Sequence, residues 1–278
     1  MFETRKIEIS SPSILASVQT DPGCVREANE DSGLHINPND PDLKARRGAL
    51  TVVADGMGGH ASGEVASQMA VDLITELYYA DNGLSAPEAL RNAIELASSQ
   101  IYTASNSSDD YAGMGTTVIA LAIKDGMAFS AHVGDSRLYR FRNRSLEMLT
   151  LDHSQVMEMV KHGVITMEQA RVHEDKNVIL RAVGTQEAVE VEVSDEFPVL
   201  PGDIFLLCSD GLSDMLDDTE IEAILRRGGD QHTASEELIA AAKANGGHDN
   251  ITVGLVKIAS GEPAGDDNVR ITREVEAL

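Results

Sequence analysis

The sequence predicts an α+β fold in which helices cover antiparallel β-sheets. Short apolar segments rich in β-branched residues recur along the chain, as is typical of strands. Three of them follow one another with only short turns between, which favours an antiparallel meander over parallel βαβ units. Amphipathic segments with helix-capping residues lie between the other strands, and they supply the helical layers.

Seven segments are predicted as strands from their apolar, β-branched character. They are residues 14–20, 49–54, 116–123, 127–133, 137–142, 204–208 and 251–258. The tripeptide KDG at 124–126 predicts a tight hairpin turn, and RNRS at 142–145 predicts another. A further short strand is expected next to the sequence REANED.

Four helices are predicted from periodicity and capping. Apolar residues recur every four positions over 63–79. Ser85 and Glu88 form a capping box that opens a second helix. The segment 219–227 predicts a third, closed by a glycine, and TASE at 233–236 opens a fourth that ends at the glycine pair after Asn245.

The 278-residue chain contains no internal repeat and no Pro- or Ser-rich linker. We therefore expect a single domain over residues 1–258, followed by a polar C-terminal tail at 259–278. The polar, helical segment 152–183, called the flap below, is inserted between strands and is expected to act as a mobile cover.

Composition excludes several classes of partner. The chain has 46 acids against 22 bases and a net charge of −24, which argues against nucleic acid or an anionic membrane as partner. Apolar runs of about six residues fall far short of the roughly 20 that a membrane span needs. The N-terminal residues predict no secretory signal, and two cysteines make no disulfide framework, so we expect a cytoplasmic protein with Cys208 as a buried free thiol.

Acids stand at the ends of several apolar segments, where loops gather and sites are built. These acids are Glu30, Asp31, Asp55, Asp135, Asp210 and Asp249. Each one alone is explained as a turn-forming residue, since Asp-Gly is a common turn dipeptide. Glycine follows Asp55 and Asp210 and precedes Asp135, and glycine admits close approach of the backbone to a ligand. Together, the acids indicate a site.

Carboxylates that converge cannot all stay ionised and unpaired. Either they share protons or cations neutralise them. Ligands that are all oxygen suit the hard ions Mg²⁺ or Mn²⁺, and one arrangement is two ions about 4 Å apart. The eight histidines are scattered, and no HExxH or CxxC occurs, which argues against zinc.

The glycine-rich stretch GMGGHASGE at 56–64 has other readings that the sequence disfavours. It lacks the phase of the dinucleotide-binding GxGxxG, so a nucleotide-dependent oxidoreductase is not supported. No lysine follows it, which excludes a Walker loop, and no GxSxG nucleophile elbow occurs in the chain. The glycines are better explained by close approach to the acid that precedes them.

Six motifs resemble, in order, those of the metal-dependent type 2C protein phosphatases, most closely in the bacterial branch. They are REANEDS, VVADGMGGHASGE, GTTVIALAI, AHVGDSRLYRF, LLCSDGLSDML and GGHDNITVGLV, and the resemblance spans residues 13–258. It implies a four-layer αββα sandwich of two stacked antiparallel sheets flanked by helix pairs. It also implies hydrolysis of phosphoserine or phosphothreonine with Mn²⁺ or Mg²⁺.

The resemblance assigns roles at the metal centre. Asp55 resembles the acid that bridges both metals, with the Gly56 carbonyl as a further ligand. Asp210 and Asp249 resemble the ligands of one metal. Glu30 belongs to the other metal, through Gly56 and water.

Further roles follow from the same resemblance. Asp31 is similar to the metal-centre acid that orients a metal-bound water and so takes part in catalysis. Asp135 and Asp214 resemble the acids that hold a third, weaker metal. Arg26 resembles the arginine that binds the phosphate with its planar fork, and Asn250 is expected to support the neighbouring ligand.

The chain departs from the family at two places. Met57 stands where animal members carry a histidine that is proposed to protonate the leaving group, so the general acid is left open between metal-bound water and His60. The flap resembles that of the bacterial branch, but HEDKN at 173–177 replaces the proline and arginine frequent in relatives, so substrate contacts there are expected to differ. His153 and His173 are expected to be structural or surface residues.

The resemblance implies direct attack by a metal-bridging hydroxide without a phosphoenzyme. The substrates would be phosphorylated proteins, and the enzyme would oppose a bacterial Ser/Thr protein kinase, acting as a monomer. A cysteine-nucleophile phosphatase is disfavoured because HCxxxxxR is absent. A catalytically silent binding module on the same fold is the alternative, but such a protein would have lost Asp55, Asp210 or Asp249, and all three are present.

Overall fold

The computed structural model describes residues 13–58, 62–80, 83–259 and the backbone of 269–270. Its strands are β1 Ser13–Asp21, β2 Asp31–Ile36, β3 Ala49–Met57, β4 Gly115–Thr116, β5 Val118–Lys124, β6 Met127–Val133, β7 Arg137–Arg142, β8 Ser145–Met148, β9 Glu192–Val193, β10 Phe197–Pro198, β11 Ile204–Cys208, β12 Ile251–Ala259 and β13 Val269–Arg270. Its helices are α1 Pro41–Arg47, α2 Ser62–Tyr79, α3 Ala86–Ser105, α4 Gln155–Lys161, α5 Met167–Arg171, α6 Asp210–Ser213, α7 Asp218–Arg227 and α8 Gln231–Ala244.

The strands form two antiparallel sheets. One is five-stranded, in the order β1-β12-β11-β7-β8. The other is eight-stranded, in the order β10-β6-β5-β3-β2-β13, with β4 paired to β3 and β9 to β6. All seven segments predicted as strands lie in these sheets. The expected three-stranded meander was wrong: β5 pairs with β6, but the chain then crosses to the five-stranded sheet, where β7 pairs with β11 and β8.

Three apolar cores define four layers. Between the sheets, Val53 and Ile119 of the eight-stranded sheet share a core with Phe205 and Leu207 of the five-stranded sheet. A second core joins the opposite face of the eight-stranded sheet to α2 and α3, and a third joins the five-stranded sheet to α7 and α8. This is the αββα sandwich that the family resemblance implied.

The central strands are continuously apolar in sequence because their side chains alternate between two buried faces of the sheet. In β3, Val52 faces the helical layer and Val53 faces the second sheet. In β11, Leu206 and Leu207 divide in the same way. Successive side chains point to opposite faces of a strand, and both faces are buried here, so both positions must be apolar.

The predicted helices α2, α3 and α7 are present, and capping residues mark the start of α3 and the end of α7. Glu88 accepts hydrogen bonds from the Ser85 backbone N (3.0 Å) and Oγ (2.6 Å) at the start of α3. Gly228 ends α7 with a φ of 76°, which favours glycine. Within the described residues, none of the helices combines the length and apolar character that crossing a membrane requires.

The predicted start of α8 was wrong. The helix begins at Gln231, before the TASE segment. Asp230 is the residue that caps it, because its Oδ1 accepts a hydrogen bond from the backbone N of Thr233 at 2.9 Å. Its end at Ala244, followed by Asn245, agrees with the prediction.

Both predicted hairpin turns are present. Asp125 (φ 51°) and Gly126 (φ 76°) connect β5 to β6. Asn143 (φ 51°) and Arg144 (φ 64°) connect β7 to β8. Two consecutive residues of positive φ match the right-handed twist of the strands that they join.

Some elements were not predicted from the sequence. Helix α1 is one of them, although Asp40 caps it by accepting from the backbone N of Leu43 at 2.8 Å. The short strands β8, β9 and β10 at the sheet edges are others. The expected tail at 259–278 lies mostly outside the described residues, and of it Val269 and Arg270 pair with β2.

The flap leaves the sandwich through a narrow paired stem. Ser154 pairs with Ile179 as an isolated antiparallel bridge. His153 accepts from the backbone N of Leu180 at 2.7 Å and donates its own backbone N–H to the Gly134 carbonyl at 2.9 Å. The stem therefore connects directly to the loop after β6, and α4 and α5 lie beyond it.

Candidate active site with a carboxylate centre

Acids from both sheets meet at one end of the sandwich. Asp31 begins β2 and lies opposite Asp55 of β3 in the antiparallel register. Asp210 follows β11, and Asp249 precedes β12, its antiparallel neighbour. Because β11 and β12 are antiparallel, the end of β11 and the start of β12 lie at the same end of the sheet, so these two acids lie close together. Together with Asp135, which follows β6, these four acids form the five-residue carboxylate centre.

The charges within the carboxylate centre act on one another. Burial raises the pKa of Asp55 well above its usual value, and the charges of Asp31, Asp210, Asp135 and Asp249 raise it further. Burial also raises the pKa of Asp210, with added contributions from its acidic neighbours. Burial raises the pKa of Asp31 to about 6. Like charges this close favour either shared protons or a bound cation.

Asp135 shows an unsatisfied buried oxygen. Its side chain is 7% exposed, and its Oδ1 has no hydrogen-bond partner among the described residues. Burial, followed by the charge of Asp152, raises its pKa to about 7. A buried carboxylate oxygen without a donor is costly to maintain, so this position fits a cation better than an empty space.

The donor set fits hard divalent cations. The side chains that face one another in the carboxylate centre offer only oxygen atoms, which suits Mg²⁺ or Mn²⁺. Burial and, after it, the charges of neighbouring acids raise the pKa values of Asp55, Asp135 and Asp210. A divalent ion would remove this repulsion, and the residues present therefore agree with the metals that the family resemblance implied.

Glu30 lies against the start of α2, where two glycines make room for it. A Cβ on Gly56 would lie 2.1 Å from the Gly63 carbonyl oxygen and 2.5 Å from that of Glu30. A Cβ on Gly63 would lie 2.7 Å from Cδ of the Glu30 side chain. The backbone N of Gly56 donates to the Glu30 carbonyl at 3.1 Å. These glycines serve close packing around an acid, as the sequence indicated.

Asn250 fixes the loop that carries Arg26 and Glu30. Its Nδ2 donates to the carbonyls of Pro22 (3.1 Å) and Ala28 (2.9 Å). Its Oδ1 accepts from the backbone N of Glu30 at 2.8 Å. Asn250 directly follows Asp249, so its buried side chain holds the loop beside Asp249. This agrees with the supporting role expected of it.

Arg26 lies at the open side of the centre. Its Nη2 donates to Asp249 Oδ2 at 2.8 Å, and 53% of its side chain is exposed. The hydrogen bond and the charge of Asp249 raise the pKa of Arg26, so the guanidinium stays charged. Its remaining N–H groups can reach a phosphate from solvent.

Met57 ends β3 opposite Gly115 of β4, partly buried. Its thioether has no proton to donate at this position. His60, the side chain considered as an alternative general acid, lies outside the described residues.

Asp214 lies under the flap and is already paired with a cation. Its Oδ2 accepts from Nζ of Lys176 at 2.6 Å, and Arg171 Nη2 lies 2.9 Å from Asp218 Oδ1. Both pairs connect the flap to the segment that includes α6 and α7. Between them is a cavity of about 270 Å³ that Asp135 also lines. Lys176 belongs to the HEDKN segment, where different contacts were expected.

A second group of donors lies at the flap stem. Donor atoms of His132, His153 and Glu192 lie within 4.8 Å of one another. The backbone N–H of Gly134 donates to His153 Nδ1 at 3.1 Å, which leaves the proton of the neutral ring on Nε2, facing Glu192 Oε2 at 3.3 Å. A metal would need the lone pair of that nitrogen. Hydrogen bonding thus explains the group, in agreement with the structural role expected of His153.

Both cysteines are free, and neither takes part in the carboxylate centre. Cys208 is buried in β11, and burial raises its pKa to about 12, so the thiol stays protonated. Cys24 is exposed on the loop after β1, with its Sγ 3.8 Å from the Lys243 carbonyl. Cys208 is the buried free thiol that the sequence predicted.

Two functional contacts were missed from the sequence. Ser209 and Thr252 both donate to Oδ2 of Asp31. Arg137 forms a bidentate pair with Asp152, the acid that raises the pKa of Asp135. The two hydroxyl residues lie inside motifs already singled out, but neutral side chains give no pattern of charge by which to find them.

Known proteins resemble this chain over most of its length. The family model of protein phosphatase 2C matches residues 41–241. The serine/threonine phosphatase stp of Listeria welshimeri is 40% identical over 248 residues, covering 87% of this chain and 95% of that protein.

Two solved structures extend the likeness to three dimensions. The serine/threonine phosphatase of S. agalactiae is 36% identical, with a TM-score of 0.79 over 88% of this chain and 99% of that one. The catalytic domain of the phosphatase PstP in complex with two manganese ions is 33% identical, with a TM-score of 0.74 over 89% and 99%. The family model and these relatives match most of the chain, and this chain belongs to the protein phosphatase 2C family.

Proposed function

We propose that this protein is a metal-dependent Ser/Thr protein phosphatase that hydrolyses phosphoserine and phosphothreonine. The carboxylate centre carries the proposal, because its acids come from both sheets and crowd beside an exposed arginine. Relatives named as serine/threonine phosphatases support it. In this proposal residues 1–258 form one catalytic domain with the flap inserted at 152–183.

We propose two divalent cations, Mn²⁺ or Mg²⁺, in the centre. Asp55 would bridge them, Asp210 and Asp249 would hold one, and the Gly56 carbonyl with Glu30 would serve the other. The all-oxygen donor set and the manganese ions bound to PstP support this assignment. When bound, two such cations would lower the pKa of coordinated water and so supply hydroxide for hydrolysis of the phosphate ester at neutral pH.

The chain's own residues bind and orient in this proposal. Arg26 holds two phosphate oxygens with its planar guanidinium and offsets the negative charge that develops during attack. Asp31, held at Oδ2 by two hydroxyl groups, orients the attacking water. Met57 cannot protonate the leaving oxygen, and that proton must come from another donor.

Asp135 and Asp214 would hold a third, weaker cation. The unsatisfied Oδ1 of Asp135 supports this assignment. Lys176 occupies Asp214 in the structure, so a cation there would share the carboxylate with an ammonium group. This competition agrees with weak binding.

The substrates in this proposal are phosphorylated proteins, and the opposing enzyme class is a Ser/Thr protein kinase. The chain's net charge of −24 disfavours nucleic acid as a partner. We propose that the protein acts as a monomer.

The test is release of phosphate from a phosphothreonine peptide by purified protein. We expect Mn²⁺-dependent turnover that EDTA abolishes. Asp55→Asn removes the proposed bridging charge, so kcat should fall by at least about 100-fold while the circular dichroism spectrum is unchanged. Near-normal turnover in that variant would contradict the two-metal mechanism. Absence of Mn²⁺ binding by calorimetry in the wild-type protein would instead indicate a silent binding module.

A further inference from the structure

We propose that the hydroxyl groups of Ser209 and Thr252 are positioning residues that hold Asp31 and thereby join the acids of the two sheets into one centre. The inference rests on the proposed function, because it concerns an acid assigned to the metal centre. Neither hydroxyl touches the substrate in this proposal, and both act through Asp31.

The contacts cross from one sheet to the other. Asp31 begins β2 in the eight-stranded sheet and is 1% exposed. Ser209 directly follows β11, and Thr252 lies in β12, both in the five-stranded sheet. Oδ2 of Asp31 accepts from Ser209 Oγ at 2.8 Å and from Thr252 Oγ1 at 2.7 Å. One carboxylate oxygen therefore connects the two sheets.

The direction of each hydrogen bond is fixed by chemistry. Asn29 Nδ2 can only donate, and it lies 2.9 Å from Thr20 Oγ1, which lies 2.7 Å from Thr252 Oγ1. An ionised carboxylate can only accept, so the proton of Thr252 points to Asp31 and that of Thr20 points to Thr252. Ser209 Oγ accepts from the backbone N of Thr252 at 2.9 Å, which leaves its own proton for Asp31.

Asn29 closes this network on the same residue. Its Oδ1 accepts from the backbone N of Asp31 at 3.1 Å, while its Nδ2 begins the chain of hydroxyls that ends on the Asp31 carboxylate. Both ends of Asp31 are thus held, and its carboxylate cannot rotate about Cβ–Cγ without losing two charge-assisted hydrogen bonds.

This restraint bears on the spacing of the other acids. Asp31 lies opposite Asp55 in the β2–β3 pair, and Ser209 is covalently joined to Asp210. Thr252 is three residues after Asp249. Fixing Asp31 to these two hydroxyls therefore fixes the acids of one sheet relative to those of the other. Partners that orient metal-site carboxylates in this way affect metal affinity strongly.

The experiment compares Mn²⁺ binding in three threonine variants. Thr252→Val has nearly the same shape but no hydroxyl, and Thr252→Ser keeps the hydroxyl. The matched control is Thr51→Val, since Thr51 is also buried, in β3, and bonds His35 Nδ1 at 2.8 Å on the same sheet as Asp31. Free Mn²⁺ is measured by electron paramagnetic resonance, and kcat and KM are measured with para-nitrophenyl phosphate at saturating Mn²⁺.

We expect Thr252→Val to weaken Mn²⁺ binding by about 10- to 100-fold and to lower kcat with KM little changed. Thr252→Ser should bind Mn²⁺ within about threefold of wild type, because the donor is retained. Thr51→Val should lower the melting temperature and leave Mn²⁺ affinity unchanged. Ser209→Ala should weaken binding in the same direction, and it keeps the test open if Thr252→Val does not fold.

Two results would overturn the inference. One is wild-type Mn²⁺ affinity in Thr252→Val and Ser209→Ala despite lowered melting temperatures, which would make the hydroxyls purely structural. The other is equal weakening in Thr252→Ser and Thr252→Val. A wild-type protein that binds no Mn²⁺ gives a different outcome, because it overturns the proposed function and this inference with it.

Discussion

At the residue scale, the centre is built from side chains whose charges oppose one another. Asp55 carries the effect most clearly, since burial and four neighbouring acids all raise its pKa. Arg26 forms an ion pair with Asp249 at the open side of the carboxylate centre. The acids are thus arranged for a positive ligand, and the arginine is arranged for a negative one.

Arg26→Lys tests the second half of this statement. Lysine keeps the charge but not the planar fork that binds two oxygens at once. We expect KM for a phosphothreonine peptide to rise by about 10- to 100-fold, since a charge-assisted hydrogen bond contributes about 1.5–3 kcal/mol. Steady-state kinetics measure this. Arg91→Lys on the exposed face of α3 is the control, and a KM within twofold of wild type in Arg26→Lys would count against phosphate binding by Arg26.

At the element scale, the sequence predicted the central strands well because both of their faces are buried, but it did not predict that the chain changes sheets between β6 and β7. The acids of the centre were found because each ends an apolar segment. The start of α8 was misplaced because two capping residues compete there, and Asp230 is the one whose carboxylate meets the first turn. Ser209 and Thr252 were missed because their partner Asp31 is 178 and 221 residues away along the chain.

The flap illustrates the same limit, since its ion pairs join distant segments. Lys176→Met removes the contact with Asp214, so hydrogen exchange in α4 and α5 should accelerate by about two- to fivefold, as expected for an ion pair of about 0.2–1 kcal/mol. Lys161→Met is the control, because Lys161 pairs with Glu158 within α4. Mass spectrometry measures the exchange, and equal rates in the two variants would show that Arg171 and the stem suffice to hold the flap.

At the scale of the whole molecule, the sandwich places its centre at the seam between two sheets. The inter-sheet core, with Phe205 and Val53, holds the sheets together over most of their length. At the end of that core, apolar packing gives way to acids and to the hydroxyl contacts of Asp31. The repulsion among the buried acids is therefore located where the two sheets meet. A cation bound in the carboxylate centre would thus also affect the stability of the fold.

This coupling predicts that the stabilisation by Mn²⁺ depends on pH. The folded-state pKa values of Asp31 and Asp135 are raised to about 6 and about 7, above the ordinary value of 3.8. A raised pKa contributes stability that is present below pH 3.8 and is lost as pH rises through 6 to 7, so the metal-free protein loses this contribution over that range. In the proposed function Mn²⁺ binds the ionised acids, and its binding free energy would add to folding stability. The increase in melting temperature on adding Mn²⁺, measured by scanning calorimetry, should therefore be larger at about pH 8 than at about pH 5.

Asp135→Asn should reduce this difference between the two pH values. An increase in melting temperature that is independent of pH would show that the acids do not release protons when the ion binds.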